Sequence, residues 1–204
     1  MDIYKIIVDL YASYGYLLVL ASAFLESIIV VGFFLPGTFV ILLGGYFAKE
    51  GNLSIIIVFL LAWGGMVAGN IVNYFMGHGS MKGIEKSERL ARFFQGKKTA
   101  QRLLEEYGIK AIFLSHIIGS FRSVICFTAG AVDYPFIKYT AANIIASFFW
   151  ALFFTLSGYF LGESTQGIRG VGDKINFVLI IVFVIFIFLF VVEKIVMDRL
   201  KKKK

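Results

Sequence analysis

The chain has 204 residues, 59% of them hydrophobic and 16% charged, with 23 Phe and a formal net charge of +7. Average soluble domains are nearer one half apolar and about a quarter charged, so this composition excludes an ordinary soluble domain and points to bilayer spans. The basic surplus gathers between Lys82 and Lys110 and at the C-terminus, which reads as cytoplasmic positive charge of a membrane protein and not as a nucleic-acid surface.

Residues 3–14 place Ile3, Ile6, Ile7, Leu10 and Tyr11 at helical spacing with Lys5 and Asp9 off that stripe, predicting a short interfacial helix. Ala21-Ser22-Ala23 mimics a signal-peptide cleavage site, but the apolar run continues past it to Val31, so no cleavage is expected. Residues 15–48 are nearly uninterrupted apolar, too few for two spans of about 20 residues and too many for one. Pro36-Gly37 breaks the run, since Pro lacks an amide donor and Gly relaxes the backbone. A re-entrant hairpin over 15–48 follows.

Residues 52–77 read as a span, with Asn70 and Asn73 near its end. The glycines Gly64, Gly65, Gly69 and Gly77 suggest close helix packing along it. Residues 78–110 leave the bilayer: Lys and Arg outnumber Glu there, and Leu90, Phe93 and Phe94 suggest an amphipathic helix lying against headgroups. Residues 111–131 are apolar except for His116 and Arg122, and residues 135–162 and 175–196 read as two further spans. The chain ends in Lys201–Lys204.

Charge parity constrains residues 111–131. The 78–110 loop and the C-terminal tail are both basic, so both are expected on the cytoplasmic face. Two spans after residue 135 leave sidedness unchanged, so a crossing at 111–131 would put the tail outside. A second re-entrant hairpin there removes the conflict. The expected fold is therefore all-α and integral to the membrane, a single domain over 1–204. It has two oppositely oriented re-entrant hairpins, three transmembrane helices and interfacial amphipathic helices. Inverted pairs of broken elements are a transporter design.

Three residues stand out chemically. Glu26 lies inside the first hairpin, where a charge costs about 2.5–3.5 kcal/mol on insertion scales. Arg122, in Gly119-Ser120-Phe121-Arg122-Ser123, carries a permanent charge and a planar fork of donors suited to phosphate. Gly119, Ser120 and Ser123 would let a phosphate approach backbone and hydroxyl groups. The plainer reading is an Arg122–Glu26 ion pair, and the two are compatible if a headgroup competes for the same Arg. His116, six residues earlier, is expected to add a pH-dependent positive charge, against the alternative of a hydrogen-bonded core His. Asn70, Asn73 and Asn143 serve equally as helix-to-helix glue. Tyr and Trp elsewhere are expected as interface belts. Cys126 lacks both a disulfide partner and metal-ligand company.

The order of these residues resembles the DedA family, whose membrane domain is also called the SNARE-associated or VTT domain. Glu26 ten residues before Pro36-Gly37, then Gly69-Asn70, Tyr74 and Gly77, look like its first half. Phe113 through Arg122, Ala129-Gly130, Phe136, Asn143, Trp150 and Gly158-Tyr159 follow in the family's order over roughly residues 12–162. The resemblance implies a two-hairpin fold and translocation of a phosphate-bearing lipid, such as undecaprenyl phosphate or a phospholipid, in the cell membrane. Thr38 stands where many bacterial members carry an acid, His116 where the first of two Arg is usual, Gly119 and Cys126 where Pro is usual, and His78 where Arg often follows Gly. The implied substrate site comprises Arg122, His116, Glu26, Ser120, Ser123, Gly119, Thr38, Asn70 and Asn143.

No cofactor, metal or nucleic-acid partner is expected; the expected partners are the bilayer and its phosphate-bearing lipids, and a homo-oligomer is allowed. No catalytic constellation of a lipid phosphatase or an intramembrane protease is present in the sequence, so no enzyme is expected. The rival function is a proton- or ion-coupled small-solute transporter using Glu26.

Overall fold

The computed structural model describes residues 3–29, 37–84, 95–117 and 121–164. Seven helices cover them: α1 (Ile3–Ser27), α2 (Gly37–Lys49), α3 (Ile55–Ile84), α4 (Gln95–Tyr107), α5 (Ile109–Ile117), α6 (Phe121–Ala131) and α7 (Phe136–Ser164). The expected span at 175–196, the Pro36 bend, and the basic tail lie outside the described residues.

Among the described residues two helices are long and apolar enough to cross a membrane, Ile55–His78 and Phe136–Ser164. Their side chains are sorted in the opposite sense to a soluble protein. Ile137 is 83% exposed, and Ile56, Ile57, Leu60, Phe75, Ile145, Phe149, Phe153 and Phe160 are exposed as well. Asn70, Asn73, Asn143, Ser147 and Thr155 on the same helices are buried. Water would penalise that arrangement and hydrocarbon favours it. The chain is a multi-pass, all-α membrane protein.

The interfacial helix expected over 3–14 is not separate. α1 runs without interruption from Ile3 to Ser27, because the only weak former at the expected boundary is Gly15, and one Gly costs about 1 kcal/mol in a helix. The apolar segment 111–131 is two short helices. α5 has 9 residues and α6 has 11, so they reach only about 14 and 17 Å, well short of a hydrocarbon core of about 30 Å.

The described residues form two compact units, with α1, α3 and α7 each divided between them. One contains α1 to Ala23, α2, α3 to Gly65 and α7 from Ala151. There the Tyr11 hydroxyl donates to the Val40 carbonyl at 2.9 Å, and the Ser54 amide donates to the Tyr16 hydroxyl at 2.8 Å. Lys49 closes that unit, 3.2 Å from Glu163 and 4.8 Å above the Tyr159 ring.

The other unit contains α1 from Phe24, α3 from Met66, α4, α5, α6 and α7 to Trp150. α4, α5 and α6 pack on one another, and α4 buries Leu103 and Leu104 while Arg102, Glu105 and Glu106 stay exposed. α3 meets α6 at Gly77 and Gly130. A Cβ on Gly77 would strike the Phe127 carbonyl oxygen, and one on Gly130 the Tyr74 carbonyl oxygen. Gly64, by contrast, faces open space, so the glycines of α3 do not all serve packing. Beyond this crossing His78 Nδ1 lies 2.6 Å from Asp133 on the surface, and the Tyr74 hydroxyl donates to the Tyr134 carbonyl at 2.5 Å.

Candidate anion site around Arg122

Arg122 is the second residue of α6, in a first turn whose amides have no carbonyls preceding them in the helix and whose dipole is positive. It is only 2% exposed. Its Nη2 lies 3.6 Å from Glu26 Oε1, at the end of α1. Its Nη1 lies 3.6 Å from the Met66 sulfur on α3. The guanidinium sits over the Trp150 ring of α7 at 5.0 Å. Its Nε is buried with no hydrogen-bond partner.

These contacts hold the charge without saturating it. A guanidinium offers five donors. A thioether is a weak acceptor, an indole face offers only electrostatic attraction, and 3.6 Å to a carboxylate is too long for a hydrogen bond. Each buried donor left unsatisfied costs about 1–3 kcal/mol. The guanidinium is therefore buried, paired at a distance with one carboxylate and short of hydrogen-bond acceptors.

A polar network adjoins it. Asn143 Nδ2 donates to the Val67 carbonyl at 3.3 Å, which turns Asn143 Oδ1 toward Asn70. Asn70 Nδ2 donates to that oxygen at 2.8 Å and lies 3.3 Å from His116 Nε2. The Ser147 hydroxyl lies 3.1 Å from Asn143 Oδ1 and 3.2 Å from His116 Nε2. His116 Nδ1 is 2.9 Å from the Ile112 carbonyl, which can only accept. A carbonyl at Nδ1 and an amide donor at Nε2 together fit the neutral imidazole protonated at Nδ1. Asn70 Oδ1 is buried without a donor.

The structure thus brings Arg122, Glu26, His116, Asn70 and Asn143 into one unit. Ser123 is buried beside Arg122 in the first turn of α6. Thr38, the second residue of α2, belongs to the other unit. Gly119 and Ser120 lie outside the described residues. Sequence reasoning passed over Met66 and Ser147, and gave Trp150 a place in the family's order but no part in the site. Trp150 lies under the guanidinium. The available signal was helical spacing: Ser147 and Trp150 follow Asn143 by four and seven residues, and Asn70 follows Met66 by four, each set on one helix face.

The VTT domain family model matches residues 35–160. The inner membrane protein YabI of Escherichia coli is 26% identical over 74% of this chain and 59% of its own length, so the chain spans less than two thirds of that relative. Protein DedA of Escherichia coli is 29% identical over 76% of this chain and 73% of its own length. Undecaprenyl phosphate transporter A of Bacillus subtilis is 24% identical over 78% of this chain and 82% of its own length. No solved structure matches the chain.

Proposed function

We propose that this chain, which belongs to the VTT-domain family of DedA-type membrane proteins, moves a phosphate-bearing lipid between the leaflets of the bilayer, with Arg122 holding the phosphate. The observation that carries this reading is the buried guanidinium whose donors the protein only partly engages. A lipid phosphate entering hydrocarbon without a counter-charge faces a large desolvation cost, and a permanent cation already buried there offsets it. In this reading the site binds and releases its ligand without chemistry on it, in keeping with the relative named as a transporter. The relative named for undecaprenyl phosphate supports a polyprenyl phosphate as cargo; a phospholipid headgroup offers the same chemistry.

In this reading α5 and α6 form a re-entrant hairpin, since neither can span, and the 15–48 segment forms the second, entering from the opposite face. Glu26 takes Arg122 when no headgroup is bound. The 3.6 Å separation makes it a competitor that a phosphate oxygen at hydrogen-bond distance displaces. Ser123, in the first turn of α6, approaches the headgroup. Asn70, Asn143 and His116 brace the site. In this reading His116 acts as a neutral strut in place of the pH-dependent cation, since the Ile112 carbonyl lies at Nδ1 and the Asn70 amide at Nε2.

The test is translocation of a labelled polyprenyl phosphate in proteoliposomes. Charge-assisted hydrogen bonds are worth about 1.5–3 kcal/mol, so Arg122→Ala should slow flux about ten- to a hundredfold. Arg122→Lys, which keeps the charge and loses the fork, should retain part of it. Glu26→Gln should slow release more than binding. Equal flux for wild type and a folded Arg122→Ala protein would reject the phosphate role and favour a small-solute transporter built on Glu26.

A further inference from the structure

Glu26 sits in the last turn of α1, two residues before the chain leaves the helix. That turn is closed by the Ile28 amide, which donates to the Leu25 carbonyl at 3.1 Å. The next two backbone groups would be orphans at a helix end. Both are taken by one side chain from α3. Asn73 Oδ1 accepts the Ile29 amide at 3.0 Å, and Asn73 Nδ2 donates to the Ser27 carbonyl. Asn73 is fully buried, as is Ser27. One turn earlier on α3, Gly69 gives the same turn of α1 its room. A Cβ there would come within 2.5 Å of the Phe24 carbonyl oxygen and 2.6 Å of Ser27 Cβ. On the same helix Met66 touches Arg122.

From this double clamp and the close seat beside it, we propose that Asn73 is the positioning residue that fixes Glu26 within reach of Arg122. The chemistry requires Asn. The clamp needs an acceptor for an amide and a donor for a carbonyl at once, which a carboxylate, a hydroxyl of Ser length or an aliphatic chain does not supply in that geometry. Gly69 sets how closely the last turn of α1 approaches α3, and Asn73 sets where that turn ends. α3, in contact with Arg122 through Met66, thereby fixes the separation of acid and base. Without the clamp, the last turn of α1 is free to fray back through Glu26, and losing the helical backbone there removes the Glu26 carboxylate from the guanidinium. The proposal concerns the pair itself and holds whether the cargo is a lipid or a small solute.

The experiment reads the pair directly, without a transport assay. The full chain, labelled with 15N-arginine in lipid nanodiscs, is examined for the Arg122 Nε–H resonance, assigned by its loss in Arg122→Lys. Glu26→Gln defines the displacement caused by losing the carboxylate. Asn73→Ala is expected to move the signal most of that way in the wild-type background and to leave it in place in the Glu26→Gln background. Asn73→Asp, which keeps the acceptor for the Ile29 amide and loses the donor, serves if Asn73→Ala fails to fold, and is expected to move the signal part of the way with the same dependence on Glu26. A purely structural Asn73 would move the signal equally in both backgrounds. That result, or an unmoved signal in the wild-type background, overturns the proposal.

Discussion

The guanidinium of Arg122 meets a carboxylate at 3.6 Å, a thioether at 3.6 Å and an indole face at 5.0 Å. The adjoining imidazole is placed quite differently, with an acceptor at Nδ1 and a donor at Nε2. Arg122 is under-engaged, whereas His116 is engaged at both ring nitrogens, in an arrangement that fits a neutral ring. The orientation of Asn70 decides this, and it is fixed in turn through Asn143 by the Val67 carbonyl. A neutral His116 carries no titrating charge into transport. Flux should therefore be level between about pH 6 and pH 8, the range in which an ordinary His titrates. Nitrogen NMR of the side chain should show the tautomer protonated at Nδ1. A flux that falls over this range in wild type, and is level in His116→Gln, would assign the charge to His116 after all.

α6 combines two demands in 11 residues: its first turn carries Arg122, and its last turn must lie against α3. The second is met by glycine alone at the crossing. An added Cβ on Gly130 runs into the Tyr74 carbonyl oxygen, a backbone atom that cannot swing aside as a side-chain tip would. Overpacking of this kind costs about 1–3 kcal/mol. Gly130→Ala should accordingly lower the melting temperature of the purified protein and, by displacing α6, reduce Arg122-dependent flux. Gly64→Ala is the matched control, since nothing lies within 4 Å of a Cβ there. Its melting temperature should hold or rise, because Ala is the better helix former by about 1 kcal/mol. Equal losses in both variants would mean that helix packing at Gly130 is not the constraint.

Across the whole molecule, sidedness rests on where the basic segments lie. If 78–110 and the C-terminal tail are both cytoplasmic, as their basic charge predicts, cysteines introduced as Ser87→Cys and Lys204→Cys should both resist an impermeant maleimide applied to intact cells. Labelling at position 204 alone would show that residues 111–131 cross, and the paired-hairpin reading would be lost. The sequence by itself marked the two long spans now seen at Ile55–His78 and Phe136–Ser164, because span length is set by bilayer thickness and charge placement by its insertion cost. It also marked Glu26 and Arg122, since charges in apolar runs need a reason. Tertiary structure alone decided what those charges touch and where α1 ends. Asn73 reaches a backbone amide 44 residues away, Asn70 reaches Asn143 across 73 residues, and Asn143 reaches the Val67 carbonyl across 76. Such partners follow from how helices cross, and a crossing depends on which glycines let two backbones touch. Periodicity along one chain describes each helix face but not the face opposite, so the partners of the His116 ring and the seat of Trp150 beneath Arg122 emerge only when the helices pack.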